Sequence, residues 1–317
     1  MASDGTQEER ASRDLEGGGS RPRAWPYAAA IIVTILWSSS FVFIKWGLAD
    51  IPPLYFATLR YALAFLVLLA ASVLAGKRGA SPPADKKPRT SLLVVAGVCG
   101  YTIAQGFQFV GLYYLPAVTT SFLLNFTPFF VLVFGATLLG ERASVAQVGG
   151  LAVAILGAWA FFGEAAAGGQ LLGVVVILAS GLGWASYVVV VRLLQKEGAI
   201  ESLRLTTVTM GVGVAGMIVL TLLSREYAPL TLDGVLIIIW LATVNTALAF
   251  FVWNWTLKAI PAYDLTVLQD IMLVEIAVFA LLFLGETITP LMALGIGLVL
   301  AGVAVVQLKA RTIPVVR

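Results

Sequence analysis

The sequence predicts an all-α membrane protein with ten transmembrane helices, arranged as two inverted five-helix repeats with both termini in the cytoplasm. Its composition, its apolar runs and an internal repeat support this prediction. Hydrophobic residues make up 60% of the 317 residues, charged residues only 12%, and the mean hydropathy is +0.96. Soluble domains carry about 25% charged residues. We therefore expect most of the apolar surface to face lipid.

Each apolar run is close to the ~20 residues that a helix needs to cross about 30 Å of hydrocarbon. In chain order, the predicted spans are residues 26–47, 54–76, 91–113, 117–139, 145–163, 170–193, 205–223, 234–256, 263–284 and 290–308. The connections between them are rich in turn residues, and they include DIPP (50–53), YLPA (114–117), GERAS (140–144), SREYAPLTLDG (224–234) and KAIPAY (258–263).

The two ends of the chain are polar. Residues 1–24 are mixed in charge and Gly-rich, which predicts a disordered cytoplasmic tail. They lack the apolar core of a signal peptide, so we expect the first apolar run to remain as a membrane helix. Residues 309–317 are predicted to form a second, short cytoplasmic tail.

The basic residues predict the orientation. With the N-terminus inside, all of the 20 Lys and Arg residues except Arg225, Lys45 and Arg60 fall in cytoplasmic segments. Arg225 falls in an external loop, and the other two lie within or at the edge of spans. Cytoplasmic loops of membrane proteins carry an excess of Lys and Arg. The bias therefore predicts that both termini are cytoplasmic.

An internal repeat divides the chain into two halves. Residues 111–161 align with 256–306 without a gap at an offset of 145, so that the Leu-Gly-Glu ending at Glu141 meets the one ending at Glu286. Each half, predicted as 25–163 and 170–308, holds five spans. Because five is odd, the second half enters the membrane from the opposite side. Glu141 is therefore expected to face the cytoplasm and Glu286 the exterior.

Inverted repeats are the architecture of many secondary transporters, which bind their solute near the midplane between the halves. The chain has no histidine and one cysteine, so it has few metal ligands, and it lacks a P-loop. We expect no metal, no other cofactor and no nucleic-acid partner. The expected partners are a small-molecule substrate and the lipid bilayer. A channel-like protein, a non-transporting scaffold and an intramembrane enzyme remain alternatives at this point.

Two carboxylates flank the middle of the ninth span. An ionisable residue at that depth normally faces a bundle interior or a wet cavity. The repeat aligns Asp270 with Asn125, so this pair is expected near the axis between the halves and in contact with the solute. Glu275 lies roughly 140° further around the helix. For both acids the alternative is a structural hydrogen bond between helices.

Other polar and aromatic positions fall on helix faces and could line the same cavity. Interhelical hydrogen bonding is the alternative for each of them. The candidates are Tyr101, Gln105 and Gln108 on the third span, Trp184 and Tyr187 on the sixth, and Asn245 and Trp253 on the eighth. Such a cavity suits a small amphipathic solute better than an ion.

Arg60 and Lys45 bracket the outer DIPP turn. One interpretation is a positive outer vestibule that receives a carboxylate, in which Arg60 is favoured because it lies about 9 Å inside its span. The alternative, above all for Lys45, is snorkelling or pairing with Asp50. The fifth and tenth spans carry Gly and Ala at packing spacings without charges, and we interpret them as scaffold rather than cavity wall.

Several segments together resemble the drug/metabolite transporter superfamily, EamA-like family, and most closely its bacterial aromatic amino-acid and metabolite exporters of the YddG type. They are ILWSSSFVFIKWGL (35–48), PPLYFATLRYALA (52–64), LLGERASVAQVGG (138–150), TALAFFVWNWTLKAIPA (246–262) and LGETITPLMALGIGLVLAGV (284–303). The resemblance covers residues 25–308.

The resemblance implies an inner-membrane secondary transporter that exports amino acids, aromatic ones included, or related small metabolites by alternating access. Export of other metabolites or of drug-like cations is the alternative, and the sequence does not choose between proton coupling and simple facilitation. It does not fix the oligomeric state either; we expect a monomer. Met272 and Leu273 stand where the family often has Glu-Pro, so the ninth helix is expected to lack a proline kink.

Overall fold

A computed structural model describes residues 24–76, 89–138, 144–163, 171–196, 202–259 and 262–310. These residues are helical throughout, joined by short turns, with no strand among them. The predicted all-α membrane fold is therefore confirmed. The predicted tails lie largely outside the described residues, as does Glu141.

The first half contains five helical spans, of which two are interrupted. Helix α3 consists of Thr90–Gly97, a π-helical segment Val98–Ile103, and Ala104–Tyr114, and α4 consists of Ala117–Leu124 and Thr127–Leu138. The others are continuous: α1 is Ala24–Gly47, α2 is Pro53–Gly76 and α5 is Val145–Phe162.

The second half repeats this order. Helix α8 consists of Leu232–Ala242, a π-helical segment Thr243–Leu248, and Ala249–Ala259, and α9 is Ala262–Phe279 with a final π-helical turn Ala280–Leu284. The others are α6 (Leu171–Lys196), α7 (Ser202–Ser224) and α10 (Pro290–Ala310). Eight of the described helices are long and apolar enough to cross a membrane, and a shorter apolar stretch covers Leu232–Leu248.

The packing follows the repeat. Helix α1 packs against α8 and α9, and its counterpart α6 packs against the counterparts of those two, α3 and α4. Helix α2 packs against its own repeat counterpart, α7. Helix α5 likewise packs against its counterpart, α10. These contacts join the two halves into one bundle, and they are what a two-fold relation between inverted repeats requires.

The two mid-span π-helical segments are also repeat counterparts. Val98–Ile103 and Thr243–Leu248 differ by the same 145 positions as the sequence repeat. A π-turn inserts one residue into a helix, changes which side chains share a face, and occurs frequently at functional sites. Because the π-turn recurs at equivalent positions, we expect α3 and α8 to contribute to a functional site.

Helices α4 and α9 differ where the sequence departs from the family pattern. In α4, the turn at Asn125–Phe126 precedes Pro128, which has no amide hydrogen for a helical bond. In α9, Met272 and Leu273 supply normal amides, and the α-helix continues without a break from Ala262 to Phe279. The prediction that the ninth helix lacks a proline kink is confirmed.

Helices α5 and α10 meet through glycines. A Cβ atom added to Gly157 would lie 2.8 Å from the Gly295 carbonyl oxygen, and one added to Gly295 would lie 2.6 Å from the Gly157 carbonyl oxygen. Only glycine permits this approach, which confirms the predicted small-residue packing. One part of that prediction was wrong, because the ends of these helices also contribute Gln147, Val306 and Gln307 to the central cavity.

Candidate functional site

A cavity of about 610 Å³ lies between the two halves. It is walled by α1, α2, α3, α4, α6, α8 and α9, with the ends of α5 and α10. The lining extends from Arg60 and Asn245, inside the bundle, to Gln147, Arg192 and Gln307. These last three lie near the ends of their helices on the side where α1 begins. The cavity therefore extends towards the side of the membrane on which α1 begins and α10 ends.

Most of the candidate residues from the sequence meet at this cavity. Its wall includes Arg60, Gln105, Gln108, Asn125, Trp184, Asn245, Trp253 and Asp270. Tyr101, Tyr187 and Glu275 do not line it. The repeat counterparts Asn125 and Asp270 both do, so the two halves contribute equivalent positions to one wall.

Arg60 is the most unusual of these residues. It is 5% exposed, and its Nε and Nη2 donate to the Thr246 hydroxyl at 3.3 and 3.2 Å. Its guanidinium carbon lies 5.2 Å from the ring centroid of Tyr61 and 5.7 Å from that of Phe109. Arg60 forms no ion pair with any described residue.

The expected outer vestibule was therefore the wrong place for Arg60. The side chain belongs to the cavity wall because the π-helical segment of α8 brings Thr246 to it. The Thr246 hydroxyl donates its own proton to the Leu241 carbonyl, five residues earlier, at 2.8 Å. Its oxygen is then free to accept from the arginine. Two aromatic rings add cation–π attraction, which strengthens in a desolvated site.

Asp270 faces the same cavity from α9. Its Oδ1 accepts from Gln307 Nε2 of α10 at 3.3 Å, and no described residue bonds its second oxygen. Gln307 Oε1 is buried without a described partner. This end of the cavity thus offers acceptor oxygens that no described residue satisfies, and it suits a ligand that carries hydrogen-bond donors.

Aromatic rings cover another part of the wall. Trp37 lies 5.5 Å from Phe250 and 5.1 Å from Trp253 between ring centroids, and its Nε1 donates to the Asn245 carbonyl at 3.0 Å. The sequence candidates did not include Trp37. A signal was available, because WSSSFVFIKW (37–46) resembles WASYVVVVRL (184–193) at an offset of 147, which places Trp37 opposite Trp184.

Tyr101 and Tyr187 form a second layer behind the wall. Tyr101 is 3% exposed, and its ring packs 6.0 Å from that of Tyr61 and 5.9 Å from that of Tyr187. The expected stripe of Tyr101, Gln105 and Gln108 assumes a regular α-helix. The π-turn at 98–103 shifts Tyr101 off that face. Gln105 remains on the wall, where its Oε1 accepts from the Tyr61 hydroxyl at 2.6 Å.

Glu275 lies on a different face of α9. Its two carboxylate oxygens contact the hydroxyls of Thr34 at 3.0 Å and Ser38 at 2.7 Å, both on α1. This is the interhelical contact that the sequence left open as the alternative to substrate binding.

The opposite end of the bundle is closed at the α3–α4 junction. Lys45 Nζ donates to the carbonyls of Leu112 and Leu115, at 2.8 and 2.9 Å, at the end of α3. The Glu286 carboxylate accepts from the amides of Ala117 and Val118, at 2.6 and 3.0 Å, at the start of α4. Each charge thus satisfies backbone groups that a helix end leaves unpaired. Lys45 bonds these backbone carbonyls rather than Asp50, the partner that one of the alternative interpretations gave it.

Two inverted sets of membrane helices around a polar, aromatic-walled cavity define a multi-pass membrane transporter. The chain belongs to the EamA-like transporter family of the drug/metabolite transporter superfamily, whose sequence profile matches residues 24–163 and 171–308. Ten spans in inverted repeats are the architecture of this family, and its members are transporters rather than enzymes.

Curated relatives support this assignment along almost the whole chain. A probable amino-acid metabolite efflux pump of Salmonella typhimurium is 26% identical over 289 residues, which cover 86% of this chain and 91% of the relative. A protein of the same description from Escherichia coli is 27% identical over 86% of this chain and 91% of its own length. A probable terminal-alkyne amino-acid exporter of Streptantibioticus cattleyicolor is 26% identical over 88% of this chain and 92% of its own length.

A solved crystal structure supports the fold. It matches 92% of this chain and 100% of its own chain with a TM-score of 0.61. At 20% sequence identity, it bears on the fold alone.

Proposed function

We propose that the protein exports amino acids, aromatic ones included, or closely related small metabolites across the inner membrane by alternating access through the central cavity. The observation that carries this proposal is a buried arginine with no carboxylate partner among the described residues, in the same cavity as an aspartate with one oxygen that no described residue bonds. Relatives named as amino-acid metabolite efflux pumps and as an amino-acid exporter support the substrate class.

Arg60 supplies the group that a carboxylate would bind. A buried charge is normally paired, because removing it from water is costly. Thr246 and two aromatic rings compensate Arg60 only in part. A solute carboxylate would complete its hydrogen bonding with the strong bidentate geometry that arginine favours.

Asp270 supplies the complementary group for an ammonium. Arg60 is the eighth residue of α2 and Asp270 the ninth of α9. These two helices enter from opposite sides, so each charge lies about a third of the way across from its own side. An α-amino acid, whose two charged groups are on one carbon, would meet these two charges in turn along the cavity rather than both at once. The Trp37, Phe250 and Trp253 rings provide an apolar surface for its side chain.

The closed and open ends of the bundle indicate which side of the membrane the cavity faces in this structure. With the termini in the cytoplasm, as the distribution of Lys and Arg predicts, the cavity extends inward and the α3–α4 junction closes the exterior. This state is the one in which an exporter loads its solute.

The test is counterflow of labelled phenylalanine and threonine into proteoliposomes. We expect saturable exchange by the wild type and at least a tenfold loss in Asp270→Asn, because a hydrogen bond to a charged group contributes about 1.5–3 kcal/mol and 1.4 kcal/mol is tenfold. Asp233→Asn, which changes an exposed aspartate in the first turn of α8, is the matched control and should exchange normally.

The other outcomes separate the alternatives. If the wild type exchanges neither amino acid, the substrate class is wrong. Flux that does not saturate would favour a channel. Wild-type exchange by Asp270→Asn would make Asp270 structural, and a loss in Asp270→Asn without any loss on substitution of Arg60 would favour a cationic solute.

A further inference from the structure

Arg192 lies on α6 at the open end of the cavity, and no described residue forms a hydrogen bond or an ion pair with it. The resemblance of residues 37–46 to 184–193, at an offset of 147, makes Arg192 the repeat counterpart of Lys45. We propose that Arg192 closes this end of the cavity in the outward-open state by binding the Leu257 carbonyl near the end of α8. This inference rests on the proposed function and names the residue that seals the side now open.

The contact that Lys45 makes at the closed end has a chemical cause. In a continuous helix, the Leu112 carbonyl would accept from the amide of residue 116, but Pro116 has no amide hydrogen. Lys45 Nζ supplies the missing donor at 2.8 Å, and it also donates to the Leu115 carbonyl at 2.9 Å. Because Lys45 belongs to α1, these bonds hold α1 against the end of α3.

The second half carries the same need at the open end. Leu257 aligns with Leu112 at the repeat offset of 145, and the residue four positions later, Pro261, is again a proline. Leu257 belongs to the last turn of α8, where a helix leaves its carbonyls without intrahelical partners. Arg192, on the counterpart of α1, carries the N–H donors that this carbonyl lacks.

The two ends differ in the present state. Helix α1 packs against the last piece of α3, whereas α6 makes no comparable contact with the last piece of α8 among the described residues. The two halves cross the membrane in opposite directions. Closing the open end therefore requires α6 to approach the end of α8 as α1 now approaches the end of α3. The bond from Arg192 to Leu257 is the contact that the repeat predicts for that state.

Arg192 has no competing charge partner in the present state. Asp270 lines the same cavity, but its described hydrogen bond comes from Gln307, and no ion pair joins it to Arg192. The guanidinium can therefore move with α6 without breaking a described contact.

The test measures how often the cavity opens outward, with a single cysteine as the reporter. Leu124→Cys is made in a Cys99→Ala background. Leu124 and its repeat counterpart Gln269 both line the cavity, so a cysteine at residue 124 should be accessible from either side as the cavity alternates. Intact cells are treated with a thiol reagent that does not cross the membrane, and the rate of labelling is measured.

We expect opposite shifts from the two cations. Lys45→Met weakens the closed outer end and should raise the labelling rate about tenfold. Arg192→Met weakens the outward-open state and should lower the rate about tenfold, the factor that one hydrogen bond to a charged group supplies. The double variant should label at nearly the wild-type rate.

Two further variants serve as controls. Arg192→Lys should label as wild type does, because Lys45 shows that an ammonium suffices for backbone carbonyls. Arg204→Met, which changes an exposed arginine in the first turn of α7, is the matched control and should also leave the rate unchanged.

The outcomes separate this inference from the proposed function, because labelling needs no solute. An unchanged or increased rate in Arg192→Met would overturn the Arg192 contact. A higher KM for counterflow in Arg192→Met, at an unchanged labelling rate, would show that Arg192 binds solute instead. Absence of wild-type counterflow, with the opposite labelling shifts present, would overturn the proposed substrate class and leave the Arg192 contact supported.

Discussion

At the residue scale, the main question is how a membrane protein keeps an arginine inside its bundle. Arg60 is positioned by the hydroxyl of Thr246 and by the faces of Tyr61 and Phe109. None of these partners neutralises it, so its charge remains available to a ligand. The planar guanidinium matches a carboxylate in two parallel bonds, which the ammonium of lysine cannot do.

Arg60→Lys should therefore raise the KM for amino-acid counterflow by about tenfold, because 1.4 kcal/mol, slightly less than a typical hydrogen bond to a charged group, corresponds to a factor of ten. The measurement is the concentration dependence of counterflow. Arg204→Lys, an exposed arginine in the first turn of α7, serves as the matched control. An unchanged KM in Arg60→Lys would show that Arg60 acts as a structural cation.

At the scale of helices, the α5–α10 pair is held together by a close approach at glycines. Gly295 and Gly297 are two residues apart on α10, yet they differ sharply: a Cβ on Gly295 would lie 2.6 Å from a backbone oxygen, whereas one on Gly297 would have nothing within 4 Å. Both substitutions to alanine gain similar helix propensity, about 1 kcal/mol. Only the first forces the two helices apart.

Gly295→Ala should therefore lower the thermal unfolding midpoint in detergent, while Gly297→Ala should leave it unchanged or raise it. The comparison isolates the close approach, since chemistry and helix are the same in the two variants. Equal midpoints would mean that the α5–α10 contact yields without loss of stability.

At the scale of the whole molecule, the inverted repeat explains why one end is closed and the other open. Lys45 and Glu286 bind the α3–α4 junction at the end of the bundle where α1 ends, whereas the cavity extends to Arg192 and Gln307 at the end where α1 begins. A transporter built from two related halves can exchange these roles between its ends, as alternating access requires.

The orientation can be tested with single cysteines, because Cys99 is the only natural one. In a Cys99→Ala background, Leu230→Cys, in the exposed α7–α8 connection, should react in intact cells with a reagent that does not cross the membrane. Arg192→Cys should react only from the cytoplasmic side, when the membrane is inverted or permeabilised. The reverse pattern would contradict the predicted location of the termini.

The sequence by itself determined the number and position of the spans, the inverted repeat and eight of the residues that line the cavity. Hydropathy, charge bias and a gapless offset suffice for these, because lipid imposes a fixed length and forbids unpaired backbone groups. Asp270 and Asn125 followed from the repeat, and the unkinked α9 followed from Met272 and Leu273. Trp37 could have been found in the same way, as the counterpart of Trp184.

Only the tertiary structure decided where individual side chains point. A π-turn is not encoded in hydropathy, yet it moves Tyr101 behind the cavity wall and brings Thr246 to Arg60. The partners of Glu275 and Lys45 come from helices distant in the chain, and one-dimensional spacing does not report which faces meet. The physical reason is that apolar side chains are about equally favourable against lipid and against protein. The rotation of a membrane helix about its own axis is therefore fixed by close packing and by a few polar contacts.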